Sequence, residues 1–428
     1  MNEMEAPKLR FYRGENSIPA AKQKTLLDAQ FQQCIDAYRL TEAIKVARDK
    51  AISTLASAAV QRHNQNLQNV FDQIQRTMDF LSIQLLLYYD RVIDAQDGET
   101  YMRMRPEETP IIKFGQWIKV REITRSFISL LFPDLDIRLD PKSNANPKLP
   151  KALGLSKEDV SLRVVQYSFD PFSAYSAAGK EYYALNCTIK ADLISFSGRP
   201  TQQGQWLMRS ETTDSHSLKI ESYPPQNSEA RAEDPSFRLS FDVPTSICVR
   251  TGTLVVGKWL EATKEWEPCT HTTFNVQFSG GARVESNLRR ATFVVSELAQ
   301  YAILQEKAYD APYDSWSIKP IRFDQAVFAL EGRRRGDSGD REFRFILEDA
   351  KCKLLAPEDA DFAVLRENWY EPATLFRELA QLGFNFILSD EDAKFLDDTR
   401  PKNEGARKQG VRGYCPVCAE SHVYQLPP

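Results

Sequence analysis

Histidine is scarce in this chain, with four among 428 residues: His63, His216, His271 and His422. Acid–base chemistry near neutral pH therefore has few groups to draw on. The common catalytic motifs are missing as well. No glycine-rich loop ends in Lys followed by Ser or Thr, so there is no phosphate cradle of that kind. No Gly-x-Ser-x-Gly elbow presents a nucleophilic serine. Ser279-Gly-Gly281 falls between two predicted strands, where a hairpin turn accounts for it. These absences predict a protein without catalytic activity.

Other absences narrow the class further. No run approaches the ~18 consecutive apolar residues that a membrane-spanning helix needs. Lys and Arg number 55 against 59 Asp and Glu, a net charge of −4, and the two signs are interspersed. That leaves no basic field of the kind that holds nucleic acid. The first thirteen residues are charged and lack an apolar core, so no signal peptide is expected. Seven cysteines, an odd number, are scattered along the chain. That usage fits a reducing compartment better than a disulfide framework. The composition thus predicts a soluble intracellular protein, with neither a membrane nor nucleic acid as partner.

What is present is a core-forming sequence. Hydrophobic residues make up 42 % and aromatics 11 %, enough for two or three domains at roughly 150 residues each. Between Ile18 and Asp97 there is no glycine, and after Pro19 no proline appears until Pro106. Within that stretch Leu67, Phe71, Ile74, Met78, Leu81, Leu85 and Tyr88 step alternately by four and three. Shorter runs read Leu27, Phe31, Cys34, Tyr38 and then Ile44, Ala47, Ala51, Leu55, Ala58. This is the spacing of helices that bury a narrow seam. The polar run Arg62 to Asn66 suggests either a bend in one helix or the turn of a helical hairpin. A single helix would extend about 110 Å at 1.5 Å per residue. The favoured reading is an exposed seam that docks on another polypeptide, carried by Leu67, Phe71, Ile74, Met78, Leu81 and Leu85. The alternative is a helix packed on this protein's own body.

Further along, the periodicity becomes that of strands. Short candidates recur every dozen or so residues: Val160 to Tyr167, Tyr182 to Ile194, Phe237 to Val243, Thr253 to Trp259 and Tyr301 to Leu304 among them. Turn clusters such as Ser197-Gly-Arg-Pro200 separate them, as in antiparallel β domains. The polar segments Arg199 to His216 and Pro225 to Pro235 read as loops. Near the end, Ala326 to Glu331 and Glu342 to Glu348 read as paired strands. Pro357 to Asn368 and Pro372 to Leu382 read as helices opened by proline. Gly383 fits a helix cap, and Phe384 to Leu388 a short strand. The predicted fold class is α+β, in four parts. They are a long N-terminal helix or helical hairpin (18–97), a central antiparallel β-sandwich-like domain (106–320), a small α+β module (321–398) and a basic tail (399–428).

Three local features bear on binding. Arg333, Arg334 and Arg335 sit at the tip of a predicted hairpin. They read as a solvated loop, or as a contact for the acidic surface of a microtubule. Cys415-Pro-Val-Cys418 with His422 has the spacing of a half zinc site, yet structural zinc takes four ligands. Cys269 and His271 would complete it only if the tail folded back, so no cofactor is the favoured reading. Pro312, Tyr313 and Trp316 read as aromatic packing at a domain junction, and Asp170-Pro171 as a turn that fixes a strand end.

Several blocks resemble the axonemal dynein intermediate chain seven family, also called the cancer-susceptibility-candidate-one proteins. They are Leu149-Pro-Lys-Ala-Leu-Gly-Leu155, Val160-Ser-Leu-Arg-Val-Val165 and Tyr167-Ser-Phe-Asp-Pro-Phe-Ser173, then Gly257-Lys-Trp-Leu-Glu261 with Glu265-Trp266. Ala302-Ile-Leu-Gln-Glu-Lys307 with Pro312-Tyr-Asp-Ser-Trp316, and Glu367-Asn-Trp-Tyr-Glu-Pro372 with Gly383-Phe-Asn-Phe386, complete the set. The resemblance covers about residues 110 to 398. It implies a non-catalytic accessory subunit of an inner-arm dynein in the axoneme of a motile cilium or flagellum. Its partners would be dynein heavy or intermediate chains and tubulin. A doublet-microtubule or radial-spoke protein without dynein contact is the alternative, and a zinc-dependent binding module a second one. No period near 40 residues with Trp-Asp pairs indicates a propeller.

Overall fold

The computed structural model describes residues 9–13, 20–54, 56–87, 101–104, 111–119, 130–132, 135–139, 159–173, 179–196, 201–203, 206–210, 218–223, 237–243, 247, 255–269, 275–279, 288–295, 297–311, 313, 315–333, 340–388 and 390–395. Two long helices come first, α1 (Ala20–Ser53) and α2 (Ser57–Leu87). The break between them is at 54–56, not at Arg62 to Asn66. Those polar residues lie inside α2, where Arg62, Asn64, Gln65 and Asn66 are exposed and the helix runs on beneath them.

The helices fold into a hairpin because each carries an apolar stripe of helical period. Leu27, Phe31, Cys34 and Ile35 of α1 meet Leu67, Phe71, Ile74, Met78, Leu81 and Leu85 of α2 in one buried cluster. Ile112, Phe114, Val165, Tyr167 and Phe169 from the neighbouring sheet belong to that cluster too. The expectation of an exposed docking seam is corrected here. All six seam residues of α2 are buried inside this chain, because the sheet offers them an apolar face. Burying each such side chain contributes about 1.5–3 kcal/mol.

That sheet has eight strands and is wholly antiparallel. Along it run β13 (Glu265–Pro268), β12 (Val255–Leu260), β16 (Gln300–Glu306), β7 (Tyr182–Phe196), β6 (Asp159–Tyr167), β3 (Ile112–Lys119) and β2 (Tyr101–Met104), with β10 (Lys219–Glu221) beside β7. The two-residue period of a strand assigns its faces. Tyr183, Leu185, Cys187, Ile189, Ala191 and Leu193 point to one core, shared with Val160, Leu162 and Val164. Val165 and Tyr167 point the other way, toward the hairpin. Gly257 is required where β12 passes β16, since a Cβ there would lie 2.0 Å from Leu304 Cδ1.

A five-stranded sheet runs β14 (Asn275–Ser279), β15 (Leu288–Val295), β11 (Phe237–Val243), β5 (Leu135–Leu139), β4 (Leu130–Phe132). Phe293 and Val295 of β15 enter the core on the large sheet's second face. A three-stranded sheet joins β1 (Leu9–Arg13), β9 (Trp206–Ser210) and β8 (Thr201–Gln203). Two of its strands lie in the segment 199–216, expected as loop.

The C-terminal part is a four-stranded sheet in chain order: β17 (Ser315–Arg322), β18 (Gln325–Arg333), β19 (Asp340–Glu348) and β20 (Lys351–Ala356). Two helices follow, α3 (Ala363–Glu367) and α4 (Pro372–Gln381). Pro372 opens α4, where its missing N–H leaves no bond unmade. Gly383, with φ +100°, closes it. The Gly383 N–H donates to Ala380 O at 3.0 Å and the Phe384 N–H to Leu379 O at 2.8 Å. Phe384 to Leu388 is not the expected strand. Its alternate aromatics pack inward instead, with Phe343 to Phe384 at 5.5 Å and to Phe386 at 4.9 Å. The architecture is therefore α+β: N-terminal helices, a mostly antiparallel β body and short C-terminal helices.

Candidate interaction surfaces and their ionic anchors

Arg163 interrupts the apolar run of β6 and points at α2. Its side chain is buried, which costs several kcal/mol unless the charge is met. Its guanidinium donates to Asp192 of β7 at 3.0 and 2.6 Å, to Asp79 of α2 at 2.5 Å and to Ser82 at 3.2 Å. Burial opposes the charge, but Asp192 and Asp79 hold the guanidinium's pKa above its ordinary value. Beside it, Gln75 Nε2 donates to the Tyr167 hydroxyl at 2.9 Å. These bonds fix the far end of the hairpin to the large sheet.

A second cluster fixes the near end to the C-terminal module. Arg377 of α4 donates to Asp49 of α1 at 2.9 Å, and Thr374 Oγ1 donates to the same carboxylate at 3.2 Å. Arg48 pairs with the other Asp49 oxygen at 3.3 Å. Arg377 also lies 3.6 Å from Glu42 and 3.1 Å from Glu378. Lys45 donates to Glu42 at 2.7 Å. Burial works against the Glu42 charge, yet Lys45 and Arg377 hold its carboxyl below the usual range. Burial raises Glu378, assisted by the charge of Glu42. α4 thus touches three bodies. Leu375 and Leu379 enter its own module's core, and Ala380 enters the large sheet's core. Its Ala380 carbonyl accepts from the Tyr183 hydroxyl at 3.1 Å.

Two further polar sites tie loops down. Lys307 and Asp392, both buried, pair at 2.9 Å, and Asp392 also accepts from the Gly179 N–H at 2.8 Å. Asp170 accepts from the N–H of Phe172 at 2.8 Å and of Ser173 at 3.1 Å, the turn that its pairing with Pro171 suggests. The Ser173 hydroxyl and Trp266 Nε1 complete its shell. Burial nevertheless pushes the Asp170 carboxyl up to about 6. Trp266 packs edge-on to Trp259 at 5.2 Å, across the β12–β13 hairpin.

Of the residues marked in sequence for binding, the described ones do not gather into one surface site. The α2 seam is internal, as described above. Arg333 ends β18 opposite Asp340, and Arg334 and Arg335 lie outside the described residues. So do Cys415, Cys418 and His422, the weak metal candidates, as well as His271. Tyr313 packs as expected, stacked on Phe386 at 5.8 Å. Trp316 does not: it stands on β17 with 42 % of its surface exposed. The arginine and aspartate anchors escaped sequence reasoning, and only the lone Arg163 inside Val160 to Val165 gave a signal.

Among the described residues, β17 and its turn carry three exposed large apolar side chains close together in sequence, Trp316, Ile321 and Phe323. Ile321 is 53 % exposed, and Phe323, in the two-residue turn to β18, is fully exposed. Among the described residues no helix is long and apolar enough to cross a membrane.

Fold and surfaces together define an α+β protein whose helical hairpin is riveted to an antiparallel sheet body by buried ion clusters. No protein-family model matches the chain. Among curated proteins it is similar to Dynein axonemal intermediate chain 7 of Danio rerio, 23 % identical over 112 residues. That match covers 26 % of this chain and 14 % of the relative. It is also similar to a Dynein axonemal intermediate chain 7 homolog of Ciona intestinalis, 21 % identical over 175 residues. Here the match covers 40 % of this chain and 22 % of the relative. The chain therefore matches only a small part of either relative's length.

Proposed function

We propose that this chain is a non-catalytic accessory subunit of an axonemal, inner-arm dynein complex. In this reading it bridges dynein subunits and tubulin in motile cilia or flagella. The observation that carries the reading is its similarity to two proteins named as axonemal dynein intermediate chains. The rigid joining of hairpin, large sheet and C-terminal module suits a bridging role, since a linker between two partners must not yield between its attachment points. Dynein heavy or intermediate chains are the primary partners, and the axoneme the place of action.

The test is extraction of isolated axonemes carrying a tagged copy of the full chain. Release into high salt together with dynein heavy chains, and their co-precipitation through the tag, is the expected result. Retention on the extracted doublets would replace this reading with that of a doublet or radial-spoke protein. A tag diffuse in the cytoplasm and absent from axonemes would remove both.

A further inference from the structure

The four-stranded sheet treats its two edges differently. At one edge, β20 is closed: Cys352 and Tyr370 exchange backbone bonds at 2.8 and 2.9 Å, and α3 and α4 follow on. At the other edge, among the described residues, β17 pairs with β18 alone, over the eight residues Ser315–Arg322. An uncovered edge presents a row of N–H and C=O groups to any extended chain that meets it.

Pro320 reports which groups those are. Proline is tolerated in an edge strand where its nitrogen faces away from the neighbour. Backbone direction alternates with a period of two, so the N–H groups of Trp316 and Ile318 face outward with it. The side chains of Trp316 and Ile318 lie opposite Leu330 and Phe328, on the sheet's core-facing side. Ile318 is already partly packed there, and Trp316 still exposes 42 % of its surface. An added strand would cover it.

Charge selects the occupant. From Ser315 to Phe323 there is no acidic residue, while Lys319 and Arg322 are exposed. Neither cation makes an ion pair with another described residue. A second copy of this chain would bring the same cations to its own edge, so self-pairing gains nothing from them.

We propose that β17 is a docking edge that adds an extended acidic segment of another protein as a fifth strand. Apolar side chains of that segment alternate with its carboxylates. Main-chain bonds to Trp316 and Ile318 supply affinity, the Trp316 indole supplies an apolar seat, and Lys319 and Arg322 select for acid. The inference is independent of the dynein reading, because it rests on the edge alone.

The probe is a fluorescent eight-residue peptide of alternating Val and Glu, titrated by anisotropy into the full chain, with a Val/Lys peptide of equal length beside it. The Glu peptide is expected to bind the more tightly. Trp316→Ser and Trp316→Pro both remove the indole, but only the second removes the outward N–H. Trp316→Pro should therefore weaken binding by roughly a further tenfold relative to Trp316→Ser, with thermal unfolding showing both variants folded. Lys319→Glu with Arg322→Glu should reverse the peptide preference. Equal affinity for the two peptides, or equal affinity of the two Trp316 variants, overturns the proposal. So does a concentration-dependent dimer, seen in sedimentation and abolished by Trp316→Pro, since the edge would then hold a second copy.

Discussion

Arg377 on α4 and Asp49 on α1 stand 328 positions apart in the chain and 2.9 Å apart in space, with both side chains buried. The pair lies at the junction of the hairpin with the C-terminal module, and neither charge has access to bulk water as an alternative partner. Removing one of them takes the strongest partner from the other, leaving Asp49 with Arg48 and Thr374, or Arg377 with Glu378 and Glu42.

Asp49→Ala is accordingly expected to lower stability by up to about 3–5 kcal/mol, and Arg377→Ala by a similar amount, the remaining partners reducing the loss. The double variant should lose less than the sum of the two, with a coupling of about 0.5–3 kcal/mol. Urea denaturation of the full chain measures all three. Additive losses would mean that the pair is not energetically coupled.

The two carboxylates around Arg163 should behave unequally. Asp192 is buried, while 41 % of the Asp79 side chain remains exposed. Water can replace much of what Asp79 offers, so Asp79→Ala is expected to cost about 1 kcal/mol or less. Asp192→Ala is expected to cost about 3–5 kcal/mol. The reverse order in thermal unfolding would show that the hairpin end, rather than the strand pair, carries the charge.

Asp170 predicts a pH dependence of defined sign. Its carboxyl titrates near 6 in the folded chain against an ordinary value of 3.8. A raised acid binds its proton more tightly when folded, so stability from this group is greatest below the unfolded value. It falls as pH rises from about 4 to 6 and is level above that window. The difference between the wild-type chain and Asp170→Asn, followed by urea midpoints across pH 4 to 7, should show this slope. A flat difference would place the folded pKa at its ordinary value.

The α2 seam gives a fourth expectation. Leu81 is fully buried between hairpin and sheet. Leu81→Ala should therefore cost about 2–5 kcal/mol through the cavity it leaves. A variant as stable as wild type, yet weakened in a partner pull-down, would restore the exposed-seam reading.

Much of the secondary structure is legible in the sequence, because it follows from local periodicity. The four-three steps of Leu67 to Leu85 give α2, and the stretch Phe237 to Val243 coincides with β11. What the seam packs against is not local information. A stripe reads the same whether its cover is a partner or a sheet more than 25 residues away, such as Ile112 and Phe114. The break between the helices was misplaced for a similar reason. The run Arg62 to Asn66 is polar because it faces solvent, whereas the true break at 54–56 contains neither glycine nor proline. Pro320 concealed β17, since a proline argues against a strand unless that strand is an edge. The anchors Arg163 with Asp192 and Arg377 with Asp49 join residues 29 and 328 positions apart. No pattern in one sequence announces such pairs.

The two ion clusters lie near opposite ends of the hairpin. Asp49 sits close to the turn between α1 and α2, and Asp79 more than twenty residues into α2, so the clusters are separated by roughly 25–30 Å at 1.5 Å per residue. One end holds the large sheet and the other holds the C-terminal module. A force applied to either body therefore enters the helices as shear along their axes, where many side-chain contacts share it at once. The hairpin behaves as a strut with a bolt at each end, and a pull on one sheet becomes a displacement of the other.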